Sequence, residues 1–246
     1  MPYNTGMASW IVHLRIAEAL LARLPGLDAE KFALGSVGPD SGKPDEKWEH
    51  FTPPTQMTHF QDPAGPHRDC ADLEFFRRHL LPLRPAPDVQ VFSFRLGYFF
   101  HLVTDNLWGE KIGRPTGKRW SAEFAADRDF IWEVKKDWYG LDFLHVREHK
   151  ECIFWRVFLD ARPYDGGLDF LVPESLAWSV AHIQAYYRKD DEKVRDMLAR
   201  PYIYLSLAEA DRFVAESSER LLRIYQYLWS DGVDPGDRTT ALSIPL

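Results

Sequence analysis

The chain has 246 residues, of which 45% are hydrophobic and 14% are aromatic, so it can bury a sizeable core and lacks the composition of an intrinsically disordered protein. Its net charge of −7 argues against a nucleic-acid groove or an anionic membrane surface as the main partner, because both favour a basic protein face. No apolar run reaches the roughly eighteen residues that a membrane-spanning helix requires, so we expect no stable membrane anchoring.

Apolar residues recur with helical spacing at the start of the chain. The spacing predicts a first helix over residues 9–24, with Ser9 as its N-cap, and a short helix over 28–34 that ends at Gly35. Residues 35–66 are rich in glycine and proline and are predicted to form a long loop. Loops of that length inside a compact domain tend to be functional.

The rest of the chain returns to helical spacing. No alternation of period two persists, and no internal repeat is present, so we predict a single all-α domain over residues 1–230. The segment 231–246 is expected to be a loosely packed C-terminal extension. The further predicted helices cover residues 69–80, 89–112, 120–136, 143–160, 173–187, 190–198 and 207–229.

The N-terminal segment does not resemble a signal peptide. It has no basic residue before its apolar stretch, and Arg15 and Glu18 interrupt that stretch, so we expect a cytoplasmic protein. The two cysteines, Cys70 and Cys152, are too few for a disulfide framework or a Cys-rich zinc site. A metal ion in this chain would therefore be held by histidines and carboxylates.

The stretch GYFFHLVTDNLW, residues 97–108, places His101 and Asp105 in an otherwise apolar segment. Residues four positions apart share one face of a helix, so the two side chains point the same way. On an exposed helix they would form a surface ion pair. The flanking aromatic residues leave little exposed face, and buried charges are rare without a partner or a metal. The spacing alone is compatible with both an ion pair and a metal site.

Three further positions each have an ordinary structural interpretation. His13 fits a core histidine, Asp40 after Gly38-Pro39 fits a turn or helix-cap residue, and His59 fits an isolated loop histidine. Taken in order, however, they form a specific series. A histidine in the first helix is followed by Gly-x-x-x-Pro-Asp, then Thr-His-Phe, then His-x-x-x-Asp.

That series resembles the zinc-dependent phospholipase C family, whose all-α fold is shared with the single-strand-specific zinc nucleases. By motif the resemblance covers the chain to about residue 110, and it implies a compact multi-helix bundle. The segments most similar to the small intracellular bacterial branch, the phospholipase C-like hydrolases, are HLRIAEALL, LGSVGPDSG, THF, GYFFHLVTDNLW and KKDWYGLDFL.

The resemblance also implies a ligand set. In the secreted enzymes of the family, three zinc ions share one pocket. By that pattern Asp40, His59, His101 and Asp105 would hold a first ion, and Asp105 would bridge to a second ion that His13 also holds.

Two departures from the family pattern affect the number of ions. The secreted enzymes complete the second site with the free amine and carbonyl of an N-terminal Trp, whereas Trp10 is preceded by Ser9 in this chain. The ligands of the third ion have no counterpart after Asp105. We therefore predict one tightly held zinc ion and a weaker second one. Iron or manganese would also suit the nitrogen and oxygen donors.

Two other polar clusters have open interpretations. The segment LHVREHKE places His145 and His149 four positions apart beside Glu148, but the surrounding charges favour a solvated face over a metal site. Asp137 and Asp142 bracket an aromatic-rich segment that we interpret as a turn. They are expected to be caps or to support the metal ligands from outside.

A zinc ion lowers the pKa of a bound water to near neutrality, so the predicted function is metal-dependent hydrolysis of a phosphoester. Asp40 is the candidate general base and Asp105 the bridging ligand, and the predicted partner is a small phosphorylated molecule. The pocket for an organic head group would be walled by Trp48 and Phe51 of the 41–58 loop and by Trp108, Trp138 and Tyr139. The alternatives are a non-catalytic protein with a structural ion, or amide hydrolysis or iron-based oxidation on the same scaffold.

Overall fold

The computed structural model describes residues 7–61, 69–84 and 87–246, and these are mostly helical. The longest described helix, α5 (Val89–Trp108), runs through the buried core. Two short antiparallel strands, β1 (Lys43–Pro44) and β2 (Phe51–Thr52), pair with each other. The helices α1 to α12 span, in order, Trp10–Leu21, Ala29–Gly35, Thr55–Thr58, Asp72–Phe75, Val89–Trp108, Arg114–Arg119, Ser121–Ala126, Phe130–Glu148, Ile153–Arg156, Pro173–Tyr186, Glu192–Ala199 and Leu207–Tyr225.

The all-α class predicted from the sequence is confirmed, but the break predicted between the helices 120–136 and 143–160 is wrong. The continuous helix α8 runs through it and ends at Glu148, while the short helices α7 and α9 lie in the outer parts of the two predicted segments. The segment between Asp137 and Asp142, interpreted as a turn, is therefore helical, and Gly140 within it allows close packing. A Cβ at Gly140 would lie 2.8 Å from the carbonyl oxygen of Met197, so this helix can approach α11 closely only with glycine there.

The predicted long loop contains short ordered elements. After α2 the chain makes a 3₁₀ turn at Gly38–Asp40, then the β1–β2 hairpin, and then the single-turn helix α3. Residues 62–66 of the predicted loop lie outside the described residues. The ordered part brings Asp40 and His59 to the same side of α5.

Helices α2 and α5 touch through their backbones. A Cβ at Gly35 would lie 2.0 Å from the carbonyl oxygen of Phe94, and a Cβ at Gly97 would lie 2.3 Å from the carbonyl oxygen of Phe32. Neither position can therefore hold a larger residue without displacement of a backbone. Because His101 follows Gly97 by one helical turn, this approach also brings the end of α2 against the His101 ring.

Part of the C-terminal extension is firmly packed. Ala241 and Ile244 are buried, so the expectation of a loosely packed tail is wrong for residues 240–244. Asp72 at the start of α4 fixes this segment, since its carboxylate accepts hydrogen bonds from the Thr240 hydroxyl (2.6 Å) and the Ala241 amide (2.7 Å). The side-chain amide of Asn106 donates to the same carboxylate at 2.8 Å. Burial raises the pKa of Asp72 to about 7 despite these donors.

Within the described part of the chain, every helix is too short or too polar to cross a membrane.

Replacing Gly97 with alanine should destabilise the fold by about 1–3 kcal/mol, because the new Cβ would overlap the Phe32 carbonyl and force α2 and α5 apart. The free energy of unfolding, measured by urea denaturation, checks this expectation.

Gly117→Ala is the matched control, because a Cβ at Gly117 meets no atom within 4 Å and the residue lies inside α6. Its stability should stay unchanged or rise by up to about 1 kcal/mol, since alanine favours helix over glycine. Equal stability of the Gly97→Ala and Gly117→Ala proteins would contradict the close packing of α2 and α5.

Candidate metal centre

The structure brings together all five residues that the sequence analysis selected as metal ligands. His13 lies on α1, Asp40 at the end of the 3₁₀ turn after α2, His59 directly after α3, and His101 and Asp105 on α5. In two groups, His13 with Asp40 and His101, and His59 with His101 and Asp105, the ligand atoms lie within 4.8 Å of one another.

The orientation of the His101 ring is fixed by the backbone at the end of α2. Its Nδ1 lies 2.9 Å from the carbonyl oxygen of Ser36. A carbonyl can only accept a hydrogen bond, so Nδ1 carries the hydrogen and, in the neutral ring, Nε2 presents a lone pair to the interior. Outer hydrogen bonds of this kind are typical of metal-binding histidines.

His59 is oriented in the same way. Its Nδ1 lies 3.1 Å from the carbonyl oxygen of Thr55 in α3 and 3.1 Å from the Thr58 hydroxyl. Because that hydroxyl donates its own hydrogen to the Thr55 carbonyl, Nδ1 is the donor and the Nε2 lone pair is directed inward. The next residue, Phe60, has a φ of 52° and so ends α3 in the left-handed conformation. This conformation is costly for a non-glycine residue. The Phe60 ring is held by edge contacts with Phe75 and Phe170, at centroid distances of 5.4 and 5.5 Å.

The two Nε2 atoms, of His59 and His101, face each other at 3.3 Å. Two lone pairs at this distance repel unless a proton or a cation lies between them. Asp105 Oδ2 lies 3.3 Å from the His101 Nε2 and 3.5 Å from the His59 Nε2, and it is buried without a hydrogen-bond partner. A single proton would satisfy one of these contacts, whereas one cation would satisfy all three atoms.

The distances among these atoms fit a tetrahedral ion. A zinc ion with ligands at roughly 2.0–2.2 Å places neighbouring ligand atoms roughly 3.3–3.6 Å apart. The Asp40 Oδ1 lies 3.4 Å from the His59 Nε2, and Asp40 is also grouped with His13 and His101. With 12% of its side chain exposed, Asp40 is the ligand closest to solvent, while the side chain of His59 is only 1% exposed.

The two carboxylate oxygens of Asp105 face different histidines. While Oδ2 faces His59 and His101, Oδ1 lies 3.3 Å from the Nε2 of His13 and accepts a hydrogen bond from the Ala8 amide at 2.9 Å. Both ring nitrogens of His13 are buried without a hydrogen-bond partner. Asp105 therefore faces His13 with one carboxylate oxygen and His59 and His101 with the other.

The electrostatics of the cluster match a site for positive charge. Burial alone would raise the pKa of Asp105, but the His101 and His13 imidazoles outweigh it and hold that pKa well below its usual value. Burial and the neighbouring His101 lower the pKa of His13, which favours the neutral ring that a metal requires. The His13 and His101 rings are stacked at 3.7 Å, so two positive imidazolium rings would repel each other.

Asp142 supports the cluster indirectly. Its carboxylate accepts hydrogen bonds from the Ser9 hydroxyl at 2.7 Å and the Tyr187 hydroxyl at 2.6 Å, and burial raises its pKa to about 7. Ser9 follows Ala8, whose amide donates to Asp105. Asp142 therefore anchors the segment that orients Asp105, within α8 rather than at the turn that we expected from the sequence.

The other candidate residues lie outside the two ligand groups. Asp137 accepts hydrogen bonds from the Ile203 and Tyr204 amides, at 2.7 and 2.6 Å, and so fixes the chain between α11 and α12. His145 and His149 stack on each other at 4.3 Å, and His149 is exposed. The sequence predicted a solvated face for residues 144–151, and the exposed positions of Glu148 and His149 agree with it.

The groups that orient the candidate ligands were not predicted from the sequence. The Ser36 and Thr55 carbonyls and the Ala8 amide belong to the backbone, which leaves no trace in residue type. Ser179 on α10 was also missed; its hydroxyl donates to the carbonyl of Asp40 at 3.2 Å.

Comparison of the chain with protein-family models, with curated proteins and with solved structures finds no match. The resemblance to the zinc-dependent phospholipase C family therefore stays a prediction, and the candidate centre is argued from its own geometry.

Replacing Asp105 with asparagine should lower the zinc content of the reconstituted protein by more than one equivalent. The change removes the negative charge that faces both histidine groups while keeping the size of the side chain. Elemental analysis of the dialysed protein measures the loss.

His13→Ala should remove only the second, weaker ion, because the ring nitrogen of His13 faces Asp105 Oδ1 at 3.3 Å and His13 is not among the proposed ligands of the first ion. His149→Ala is the control. Because His149 is exposed, the metal content of this variant should match that of the parent protein. Normal metal content in Asp105→Asn would mean that His101 and Asp105 form a structural pair.

Proposed function

We propose that this protein is a metal-dependent hydrolase of a phosphoester. The observation that carries the proposal is the pair of His59 and His101 lone pairs, fixed face to face at 3.3 Å beside the unpaired Oδ2 of Asp105. Groups arranged in this way repel one another in a buried site unless they share a cation. The nitrogen and oxygen donors suit zinc, with iron and manganese as alternatives.

The residues would divide between two ions. Asp40, His59, His101 and Asp105 would hold the first, and Asp105 and His13 the second. With only these two protein groups, the second ion keeps positions open for water and substrate, as catalytic sites do. Bound zinc acidifies a water molecule and neutralises negative charge on phosphoryl oxygens.

Asp40 is the residue best placed to handle a proton. It is the most exposed of the four proposed ligands of the first ion, and the His101 and His59 imidazoles overcome the effect of burial and lower its pKa. A carboxylate kept ionised at the entrance of the site can accept a proton from an attacking water. The Ser179 hydroxyl, bonded to the Asp40 carbonyl, holds this turn against α10.

The surroundings of Asp40 support a small organic substrate. Trp48, exposed on the β1–β2 hairpin, lies 6.0 Å from the ring of Trp178 and 5.9 Å from that of His182 on α10. His182 and Ser179 are three positions apart on α10 and so share one face of the helix, which places this aromatic surface near the Asp40 turn. It agrees with the predicted aromatic wall of a head-group pocket.

A structural ion is the second candidate. The His59, His101 and Asp105 ligand atoms have the spacing of a tetrahedral site. With Asp40 as the fourth proposed ligand the site would be closed by four protein ligands, which is typical of structural zinc. The catalytic proposal requires a second ion, whereas the structural-ion proposal does not. The fold type of the zinc-dependent phospholipase C family and a cytoplasmic location remain part of the catalytic proposal.

The zinc-loaded protein should hydrolyse members of a panel of phosphodiesters and phosphomonoesters, and a chelator should abolish this activity until zinc is restored. Asp40→Asn should lower the rate by about a hundredfold or more, because it removes a ligand and the candidate base together. Initial rates on chromogenic esters measure both effects.

Asp45→Asn serves as the control. Asp45 is exposed on the β1–β2 hairpin that follows Asp40, and its carboxylate accepts a hydrogen bond from the backbone amide of Glu49. Its rate should equal that of the parent protein. A metal-filled protein that hydrolyses no ester, with a closed four-ligand cobalt spectrum, would favour the structural ion.

A further inference from the structure

Asn106 follows the candidate ligand Asp105 directly on α5, and its buried side chain binds the backbone of Cys70. The Cys70 amide donates to Asn106 Oδ1 at 2.7 Å, and Asn106 Nδ2 donates to the Cys70 carbonyl at 2.8 Å. A backbone amide can only donate and a carbonyl can only accept, so these two bonds fix the orientation of the carboxamide. The Asn106 side chain therefore ties the segment before α4 to the helix that carries His101 and Asp105.

The segment that Asn106 holds is bonded to the turn that carries His59. Ala71 follows Cys70, and its amide donates to the carbonyl of Phe60 at 2.9 Å. Phe60 follows His59 and has the left-handed backbone conformation. A non-glycine residue keeps this conformation only where its surroundings hold it. Hydrogen bonds on two successive residues, Cys70 and Ala71, therefore connect Asn106 with the backbone next to His59.

Helix α4 contacts the same turn through Phe75. The Phe75 ring lies 5.4 Å from the Phe60 ring and stacks on the Tyr98 ring of α5 at 4.6 Å. The Tyr98 hydroxyl donates to the carbonyl of Thr58 at 2.6 Å. The residues on both sides of His59 are therefore held by α5, or by the segment that Asn106 ties to α5.

The same carboxamide also reaches the C-terminal segment. Asn106 Nδ2 donates to Asp72 Oδ2 at 2.8 Å and lies 3.3 Å from the hydroxyl oxygen of Thr240. Asp72 in turn accepts hydrogen bonds from the Thr240 hydroxyl and the Ala241 amide. One buried side chain thus joins the support of His59 to a segment that lies far from it in the sequence.

We propose that Asn106 is a positioning residue for the first ion, and that it sets the distance between His59 and the ligands on α5. His59 does not belong to α5, so the 3.3 Å separation of its Nε2 from the His101 Nε2 depends on what joins its turn to that helix. Asn106 supplies this join one residue after Asp105. The docked C-terminal segment contributes through the Asp72 and Thr240 contacts.

This inference rests on the proposed function for the presence of a metal ion, and it distinguishes the two ions. The second ion would be held by His13 on α1 and by Asp105 Oδ1, which the Ala8 amide orients. These groups lie outside the His59 turn. Loss of the Asn106 side chain should therefore weaken the first ion more than the second.

The test measures zinc affinity, by competition with a chromophoric chelator, and the absorption spectrum of the cobalt-substituted protein. Asn106→Ala should weaken binding of the first zinc ion by about 10- to 100-fold, the range expected for loss of a group that orients metal ligands. Its cobalt absorption should lose intensity, because a displaced His59 leaves a less tetrahedral site. Thr240→Val removes only the hydroxyl next to Asp72 and Asn106, so it should weaken the first ion less.

Ser218→Ala is the matched control. The Ser218 hydroxyl is buried and donates to the carbonyl of Val214 within α12 at 2.7 Å, so this variant loses a buried hydrogen bond inside a single helix. It should bind zinc and cobalt as the parent protein does. Circular dichroism and thermal melting establish that each variant folds, and Asn106→Ser replaces Asn106→Ala if the latter does not.

Unchanged zinc affinity and cobalt spectrum in a folded Asn106 variant would overturn the positioning role, and so would an equal loss of affinity in Ser218→Ala or absence of zinc binding by the parent protein. Parent affinity in Thr240→Val would overturn the contribution of the C-terminal segment. The two proposals fail separately. Asn106-dependent zinc binding without hydrolysis of any ester would leave the positioning role and remove the hydrolase, whereas zinc-dependent hydrolysis with unchanged zinc affinity in Asn106→Ala would do the reverse.

Discussion

The backbones of α2 and α5 meet at Gly35 and Gly97, and the geometry of the histidine and aspartate cluster depends on that contact. A side chain at either glycine would separate the helices, and the Ser36 carbonyl would then be out of reach of the His101 ring. Without this hydrogen bond the His101 ring could rotate or change its tautomer. A packing constraint between two helices therefore determines which nitrogen faces the centre.

The cluster concentrates polar groups that a protein interior does not tolerate without compensation. His13, His59, His101 and Asp105 are each nearly inaccessible to solvent, and three of their nitrogen and oxygen atoms have no hydrogen-bond partner. Other buried acids in this protein are treated differently. Asp72 and Asp142 are each surrounded by donors from the backbone or from hydroxyl groups. The contrast indicates that the cluster is complementary to a ligand of positive charge, whereas Asp72 and Asp142 serve the fold.

Much of the fold and the ligand set could be predicted from the sequence, for different reasons. The spacing of His101 and Asp105 is a local property of a helix, so periodicity alone placed them on one face. Asp40 and His59 lie in loop segments, and only the order of motifs singled them out. The segment between Asp137 and Asp142 was interpreted as a turn, whereas it lies inside α8, where Gly140 allows close packing against α11. A packing role of this kind depends on a distant part of the chain and cannot be recognised from the residue type alone.

Hydrogen bonds around the candidate centre and at the C-terminal segment join residues that are far apart in the sequence, and this separation affects the order of folding. Ala8 and Asp105 are 97 positions apart, Ser9 and Asp142 are 133 apart, and Asp72 and Thr240 are 168 apart. Helical proteins fold fast when their contacts are local, and closure of long loops slows the search for the native topology. When the last of the five candidate ligand residues has been synthesised, Ala8 and Ser9 are present but Asp142 and Thr240 are still missing. The slow step of folding is therefore expected to be the joining of the chain's distant segments around α5, with helix formation preceding it.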